Sequence, residues 1–395
     1  MRLKLSTSGF LTFFLTAYLW IGLLFYKVVG IELADEALIA LLLFFTLYMK
    51  SRHRNTHVSK EIFIFICVVI FYLLYSLALG IADKRAILFD CIQEIKPYVT
   101  FYCGYVLFPE FGQRQRRIII RNCIAVALIA VAALPSSLSR YQYFMGDHIT
   151  LLASLSMTLF VCCSYFGETK GIIRWLMLTL GLFSTRSKFY VEYIFTVYVW
   201  RLKKKLNLSN TSNIVGLMIV AGLAIFVIWK KFSFYVIYGF NNGSGVARSM
   251  LYITAIMILM EYFPFGCGLG SFANHASRVW YSPLYDKYGL SHLQGMTRED
   301  PSFIADTFYP VTAQFGVAGI AVIAAFWIKR YRELKSLCDP MMYKTGLSII
   351  IFMATECFAD TTLIGNRGGI LMLLLGIICG RSKKYNINKS RINED

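Results

Sequence analysis

The chain alternates long apolar runs with short polar and basic punctuation. A membrane-crossing helix needs about 20 mostly apolar residues, fewer where the bundle is thin or the helix broken. Such runs recur at 9–29, 31–49, 61–82, 97–112, 118–138, 149–166, 172–184, 188–200, 214–229, 309–328, 345–360 and 368–380. The pattern predicts an all-α fold, a polytopic transmembrane helix bundle of about 12 spans. The short runs 172–184 and 188–200 read either as one long helix or as a pair broken at Ser184–Lys188. From 230 to 308 the rhythm is lost for nearly 80 residues. This segment holds a Gly-rich turn at 239–245, an apolar stretch at 246–263 and a polar remainder dense in aromatics. Loops of more than about 15 residues are usually functional or disordered, and the aromatic content predicts a folded one. The expected division is 1–229, N-terminal spans; 230–308, a large outer loop with short helices; and 309–395, C-terminal spans and tail.

Composition agrees with the pattern. Hydrophobic residues make up 57% and charged residues 16%, against about 45–50% and about 25% in soluble domains. With a mean hydropathy of +0.58, a soluble enzyme is excluded. Only 8 Pro and no Gly period exclude collagen and low-complexity disorder. The ten Cys are scattered, mostly inside apolar runs, with no CxxC pair; they read as small hydrophobes, not as a disulfide framework or zinc site. Arg2 and Lys4 precede an apolar run of about 20 residues with no small-x-small site after it, so the start reads as a signal anchor or first span.

The net charge of +18 resolves when it is split by side. With the N-terminus placed in the cytoplasm, 26 of the 40 Lys and Arg fall in cytoplasmic segments, as the positive-inside tendency requires. Both termini are then cytoplasmic. The basic runs at 50–54, 114–117 and 201–205 orient the chain and imply no nucleic-acid partner. On this topology 246–263 reads as a re-entrant or interfacial helix, because a further span would invert every later loop.

Several charges are left over. Arg186 lies between two apolar segments in Phe183-Ser-Thr-Arg-Ser-Lys188. It reads either as a functional cation or as part of a hairpin whose Arg and Lys snorkel to the surface. Arg248 opens the apolar stretch of the long loop. The turn Glu261-Tyr-Phe-Pro-Phe-Gly-Cys-Gly-Leu-Gly270 follows. It reads either as a helix-ending Pro/Gly turn or as backbone that a ligand can approach closely at Gly266, Gly268 and Gly270. Lys96 heads a span and adds an outer cation or snorkels. His292, Arg298, Glu299, Asp300 and Asp306 cluster at the loop's end. Asp306 is a candidate general base; Glu299 and Asp300 read as a solvated rim. His275 and His292 have no metal-ligand spacing, and neither metal nor cofactor is expected. Together these residues suggest an outward cavity in which Arg meets phosphate oxygens bidentately.

In their order, four elements resemble the O-antigen polymerase and O-antigen ligase superfamily of bacterial envelope proteins. They are Ser184-Thr-Arg-Ser187, Arg248, Glu261–Gly270 and Asp306-Thr-Phe-Tyr-Pro-Val-Thr-Ala-Gln-Phe-Gly-Val-Ala-Gly319. Where ligases of the superfamily carry a His-Asn pair, this chain has Ala305-Asp306, which turns the expectation toward the polymerases. The resemblance implies a multi-pass protein of the bacterial inner membrane with its site facing the periplasm. It implies a polyprenyl-pyrophosphate-linked oligosaccharide as substrate. Membrane lipids, chain-length regulator proteins and flippase proteins are the implied partners. Arg186, Arg248 and Asp306 become the expected catalytic residues, and Lys96, Lys188, Gly266, Gly268, Gly270, His292 and Arg298 the expected substrate contacts. A ligase or a lipid-linked oligosaccharide flippase is the alternative expectation.

Overall fold

A computed structural model describes residues 6–25, 34–52, 60–134, 151–167, 171–207, 210–238 and 246–392. Arg2, Lys4, Lys170 and the Gly-rich turn at 239–245 lie outside them. The described chain is helical, with no strand. In order the helices are α1 (Thr7–Ala17, continued by π turns to Leu24), α2 (Ala34–Arg52), α3 (Lys60–Leu79), α4 (Lys84–Leu107), α5 (Gln113–Ala133) and α6 (Leu151–Phe166). Next come α7 (Ile172–Leu180, continued as a 3-10 turn to Ser184), α8 (Ser187–Arg201), α9 (Thr211–Phe232, continued by π turns to Tyr238) and α10 (Ala247–Glu261). Two short helices follow, α11 (His275–Val279) and α12 (Leu284–Lys287). Last are a 3-10 segment (Tyr309–Phe315), α13 (Gly316–Ser336), α14 (Pro340–Glu356) and α15 (Asn366–Ile392).

Among the described residues, four helical segments can by length and composition cross a membrane: Thr7–Leu24, Lys60–Leu79, Thr211–Lys231 and Tyr309–Ser336. The remaining helices are shorter or interrupted by polar residues. Most instructive is α4. The sequence predicts an amphipathic segment and then a span from 97; the structure has one helix from Lys84, with Asp83 capping it through the Arg85 N–H at 2.7 Å. Asp90 and Lys96 within it are buried and paired. Lys96 therefore sits inside a helix, not at its head.

α4 and α15 form the centre. Gly104 of α4 faces the Leu373 carbonyl of α15, where a Cβ would come within 2.3 Å. Gly376 of α15 faces the Phe101 carbonyl, where a Cβ would come within 2.0 Å. Small residues let two backbones approach in this way, as in membrane helix pairs generally. Around this pair α1, α5, α6, α7, α8 and α14 bury the main core, including Phe14, Leu152, Phe160, Phe189 and Phe352.

The segment from α10 to Asp306 has its own core of Leu251, Ile258, Phe272, Tyr285, Met296 and Ile304, closed by Val311. Its glycine turn docks on α3 and α4. Tyr75 donates to the Gly266 carbonyl at 2.8 Å, and Ser76 Oγ accepts from the Leu269 N–H at 2.8 Å. Buried Asp90 accepts from the Gly270 N–H at 2.8 Å and from Gln314 at 2.9 Å.

The connecting segments sort to two ends. At one, Gln115 meets Ser8, Lys205 meets the Lys335 carbonyl, Arg330 meets Glu61, Arg381 meets the Pro109 carbonyl and Ser336 meets Ser382. These are the segments that the charge pattern groups together. At the other end lie the Ser184–Lys188 break, Arg248, Asp306 and the α14–α15 turn.

The α4–α15 contact makes a direct prediction. Gly376→Ala will lower the thermal midpoint of the detergent-purified protein, at an overpacking cost of about 1–3 kcal/mol. Gly222→Ala on α9, where a Cβ meets nothing within 4 Å, will leave it unchanged or raise it. Equal midpoints for both variants would contradict the packing described.

Candidate functional site

The Ser184–Lys188 element is a sharp break, which decides between the two readings of 172–200 in favour of a broken pair. Thr185 adopts a left-handed conformation with φ 54°, and Arg186 is the residue that caps α8. Ser184 Oγ accepts the Arg186 backbone N–H at 3.3 Å. The Arg186 side chain is half-buried and makes no ion pair among the described residues. Two residues on, Lys188 bridges Glu356, in a close ion pair, and Asp360 at 2.9 Å. Arg367, in the first turn of α15, pairs with the same Asp360 at 3.0 Å. Asp360 thus faces Lys188 and Arg367, and Arg186 lies within electrostatic reach of it.

A second ion pair lies alongside. Arg248, near the start of α10, pairs closely with Asp306 and stacks over the Tyr235 ring at 5.0 Å. Its Nε is buried with no hydrogen-bond partner among the described residues. The two pairs are fastened together by backbone. Tyr252 donates to the Phe358 carbonyl at 2.9 Å, and the Phe308 and Tyr309 N–H groups reach the Cys357 carbonyl at 3.2 and 3.3 Å. Lys231, at the end of α9, lies within electrostatic reach of Arg186, Arg248 and Lys188. Like Arg186, it makes no ion pair among the described residues. Glu192, one turn inside Lys188, is buried with neither carboxyl oxygen hydrogen bonded among the described residues.

Four of the expected residues thus converge: Arg186, Lys188, Arg248 and Asp306. The others are elsewhere, and each has a local reason. Lys96 is held between Asp35 at 2.7 Å and Glu36 at 2.8 Å on α2, so it joins two helices and is no free outer cation. Gly266, Gly268 and Gly270 all have positive φ, but the backbone they admit is the protein's own. A Cβ on Gly266 would meet the Gly316 N at 2.3 Å, and one on Gly270 would meet Ala86 at 2.8 Å. They seat the loop instead of a ligand. His292 is exposed, and no described hydrogen bond or ion pair joins it to the cluster. Arg298 pairs with Asp286 at 2.9 Å and stacks on Tyr281 at 4.9 Å, at the loop surface. Asp286 is held below its ordinary value by the hydrogen bond from Arg298. Glu261 is likewise lowered by the hydrogen bond from Lys287.

Sequence reasoning missed Lys231, Glu356, Asp360 and Arg367. Glu356 and Asp360 did carry a signal: two carboxylates at the end of an apolar run, where ionisable residues mark function by default. Chemically, the arrangement can hold a multiply charged anion. Arg186 and Lys231 make no ion pair among the described residues, and Arg248 has an Nε–H with no partner among them beside its carboxylate. No family model and no curated protein matches the chain.

The Lys188 bridge gives the prediction here. Lys188→Met leaves Glu356, which is 1% exposed, as a buried charge without its cation, at a cost of about 3–5 kcal/mol. The double variant Lys188→Met/Glu356→Gln will recover most of the lost thermal stability. A double variant no more stable than the single one would show that the two groups are not coupled.

Proposed function

We propose that the chain is a polymerase of lipid-linked oligosaccharide repeat units. It transfers a growing glycan from polyprenyl pyrophosphate to a sugar hydroxyl of the next unit. The observation that carries this reading is the convergence of Arg186, Lys188, Arg248 and Asp306, which lie up to 120 residues apart in sequence. Arg186 and Lys231 make no direct ion pair among the described residues, so an arriving pyrophosphate can supply one. With the reading go about twelve spans, both termini in the cytoplasm, and this end of the bundle facing the periplasm of a bacterial inner membrane. The boundaries 1–229, 230–308 and 309–395 belong with it.

In this mechanism the acceptor hydroxyl oxygen attacks the anomeric carbon, and the bond from that carbon to the pyrophosphate oxygen breaks. Polyprenyl pyrophosphate leaves with the electron pair. Arg186 and Arg248 neutralise the charge that develops on it, which is electrostatic stabilisation of the transition state. Pyrophosphate competes with Asp306 for Arg248. Asp306, released from its ion pair, takes the hydroxyl proton. Lys188 is a positioning residue: committed to Glu356 and Asp360, it fixes α14 and α15 against the Arg186 turn.

Deleting the gene and resolving the surface glycan on a gel tests the reading. Loss of a polymerase leaves single repeat units on the lipid core. Long chains confined to the carrier would indicate a ligase, and units trapped inside the cell a flippase. Arg186→Ala and Arg248→Ala will each reduce chain extension by about 10²–10³ in rate. Arg248→Lys will recover only part of it, because an ammonium cannot bind bidentately. Full-length chains from both alanine variants would contradict the assignment.

A further inference from the structure

A cleft of about 320 Å³ lies between α3, α4 and α13, away from the cation cluster. Its walls are almost wholly apolar, with Val68 and Tyr72 on one side and Val322 and Phe326 on the other. Val322 is 44% exposed and Ile64 is 58% exposed, so the cleft opens on the flank of the bundle. From Gly319 to Arg330 it runs along α13 for about 17 Å at 1.5 Å per residue.

One end is charged. Lys329 and Arg330 lie there beside Glu61, in a close Lys329–Glu61 ion pair and an Arg330–Glu61 contact of 3.1 Å. The Arg330 side chain is 1% exposed, yet its Nε has no hydrogen-bond partner among the described residues. Its Nη1 lies 3.1 Å from Glu333 without being aligned for a hydrogen bond. The guanidinium is held in place over the rings of Phe101, Tyr105 and Phe326 at 5.0, 5.4 and 5.2 Å. Buried guanidinium N–H groups left unused at the mouth of an apolar cleft suit a phosphate.

The cleft's depth suits a lipid. Tyr309–Ser336 is long and apolar enough to cross a membrane. Lys329 and Arg330 follow the apolar residues of α13, about 20 Å along that helix from Gly316, at the end where the other basic segments gather. The charged end therefore falls at headgroup level. Tyr98, one helical turn further in than Tyr102, lines the cleft with its hydroxyl unpartnered among the described residues. It stands at the depth of a lipid's ester carbonyl. Glu94, a further turn along, also has an unpartnered oxygen, and nothing in this arrangement supplies its partner.

We propose that this cleft binds one zwitterionic phospholipid, with an acyl chain between α3 and α13. Lys329 and Arg330 hold the phosphate and Glu61 holds the ammonium. The charge balance selects the headgroup. With Glu61 in the mouth and Glu333 behind Arg330, the two cations are already matched, so a purely anionic headgroup meets as much repulsion as attraction. A headgroup with both signs satisfies each.

The full chain purified in detergent tests this. It is incubated with equal amounts of phosphatidylethanolamine and phosphatidylglycerol, exchanged into lipid-free detergent, and read by native mass spectrometry. Retained phosphatidylethanolamine will exceed phosphatidylglycerol about fivefold, as expected of a partly buried charge pair. Val322→Trp, which fills the exposed cleft wall, will abolish retention with an unchanged gel-filtration profile. If that variant aggregates, Ala325→Leu on the same exposed wall is the substitute. Lys329→Glu will remove the preference. Equal or reversed retention of the two lipids, no retained lipid, or retention undiminished by the cleft-filling variants would each overturn the proposal.

Discussion

The close approach of α4 and α15 through Gly104 and Gly376 is the constraint on which the rest depends. With each glycine set against the other helix's carbonyl, neither helix can slide or rotate without a clash. α15 is therefore fixed along its length, and its first turn carries Arg367 to Asp360. α4 is fixed in turn, and its outer part carries Asp90 to the glycine turn and Lys96 to Asp35 and Glu36. One backbone contact thus sets the position of the α14–α15 turn and of the long loop, the two walls between which Arg248 and Asp306 stand.

The buried charges follow from that frame. A charge in an apolar interior costs several kcal/mol unless it is paired. Asp35, Glu36, Lys96, Glu356 and Asp360 each have a partner of opposite sign. Asp90 has two neutral donors in place of a cation. Against this pairing stand two groups of exceptions among the described residues. Arg186 and Lys231, which make no ion pair, the idle Nε of Arg248 and unpaired Glu192 gather at one end of the bundle, while Arg330 Nε and Glu94 lie along the cleft between α3, α4 and α13. Exceptions to pairing are where a ligand would be expected to supply what the protein withholds.

Much of the helix pattern was legible in the sequence, and the reasons for the rest are physical. The run at 61–82 appears as α3 at Lys60–Leu79, and 246–263 as α10 at Ala247–Glu261, because continuous apolar runs need no partner to be recognised. α4 was cut short in the reading because Asp90, Glu94 and Lys96 interrupt its apolar run. The partners that make them tolerable lie 61 residues away for Lys96 and 224 for Asp90. The glycines of 266–270 were legible as positive-φ positions. What presses against them was not, since Gly316 and Ala86 reach them only in the fold. Arg186, Arg248 and Asp306 stood out as charges unexplained by topology. Glu356, Asp360 and Arg367 did not, because their significance lies in the bridge they form around Lys188.

The cluster around Arg186 and Arg248 is proposed to hold a pyrophosphate. Titrating the detergent-purified chain with a short-chain prenyl pyrophosphate and, separately, with the matching prenyl alcohol measures this directly. The pyrophosphate will bind saturably and more weakly as salt is added, and the alcohol will show no comparable binding. Equal affinity for the two, indifferent to salt, would contradict it.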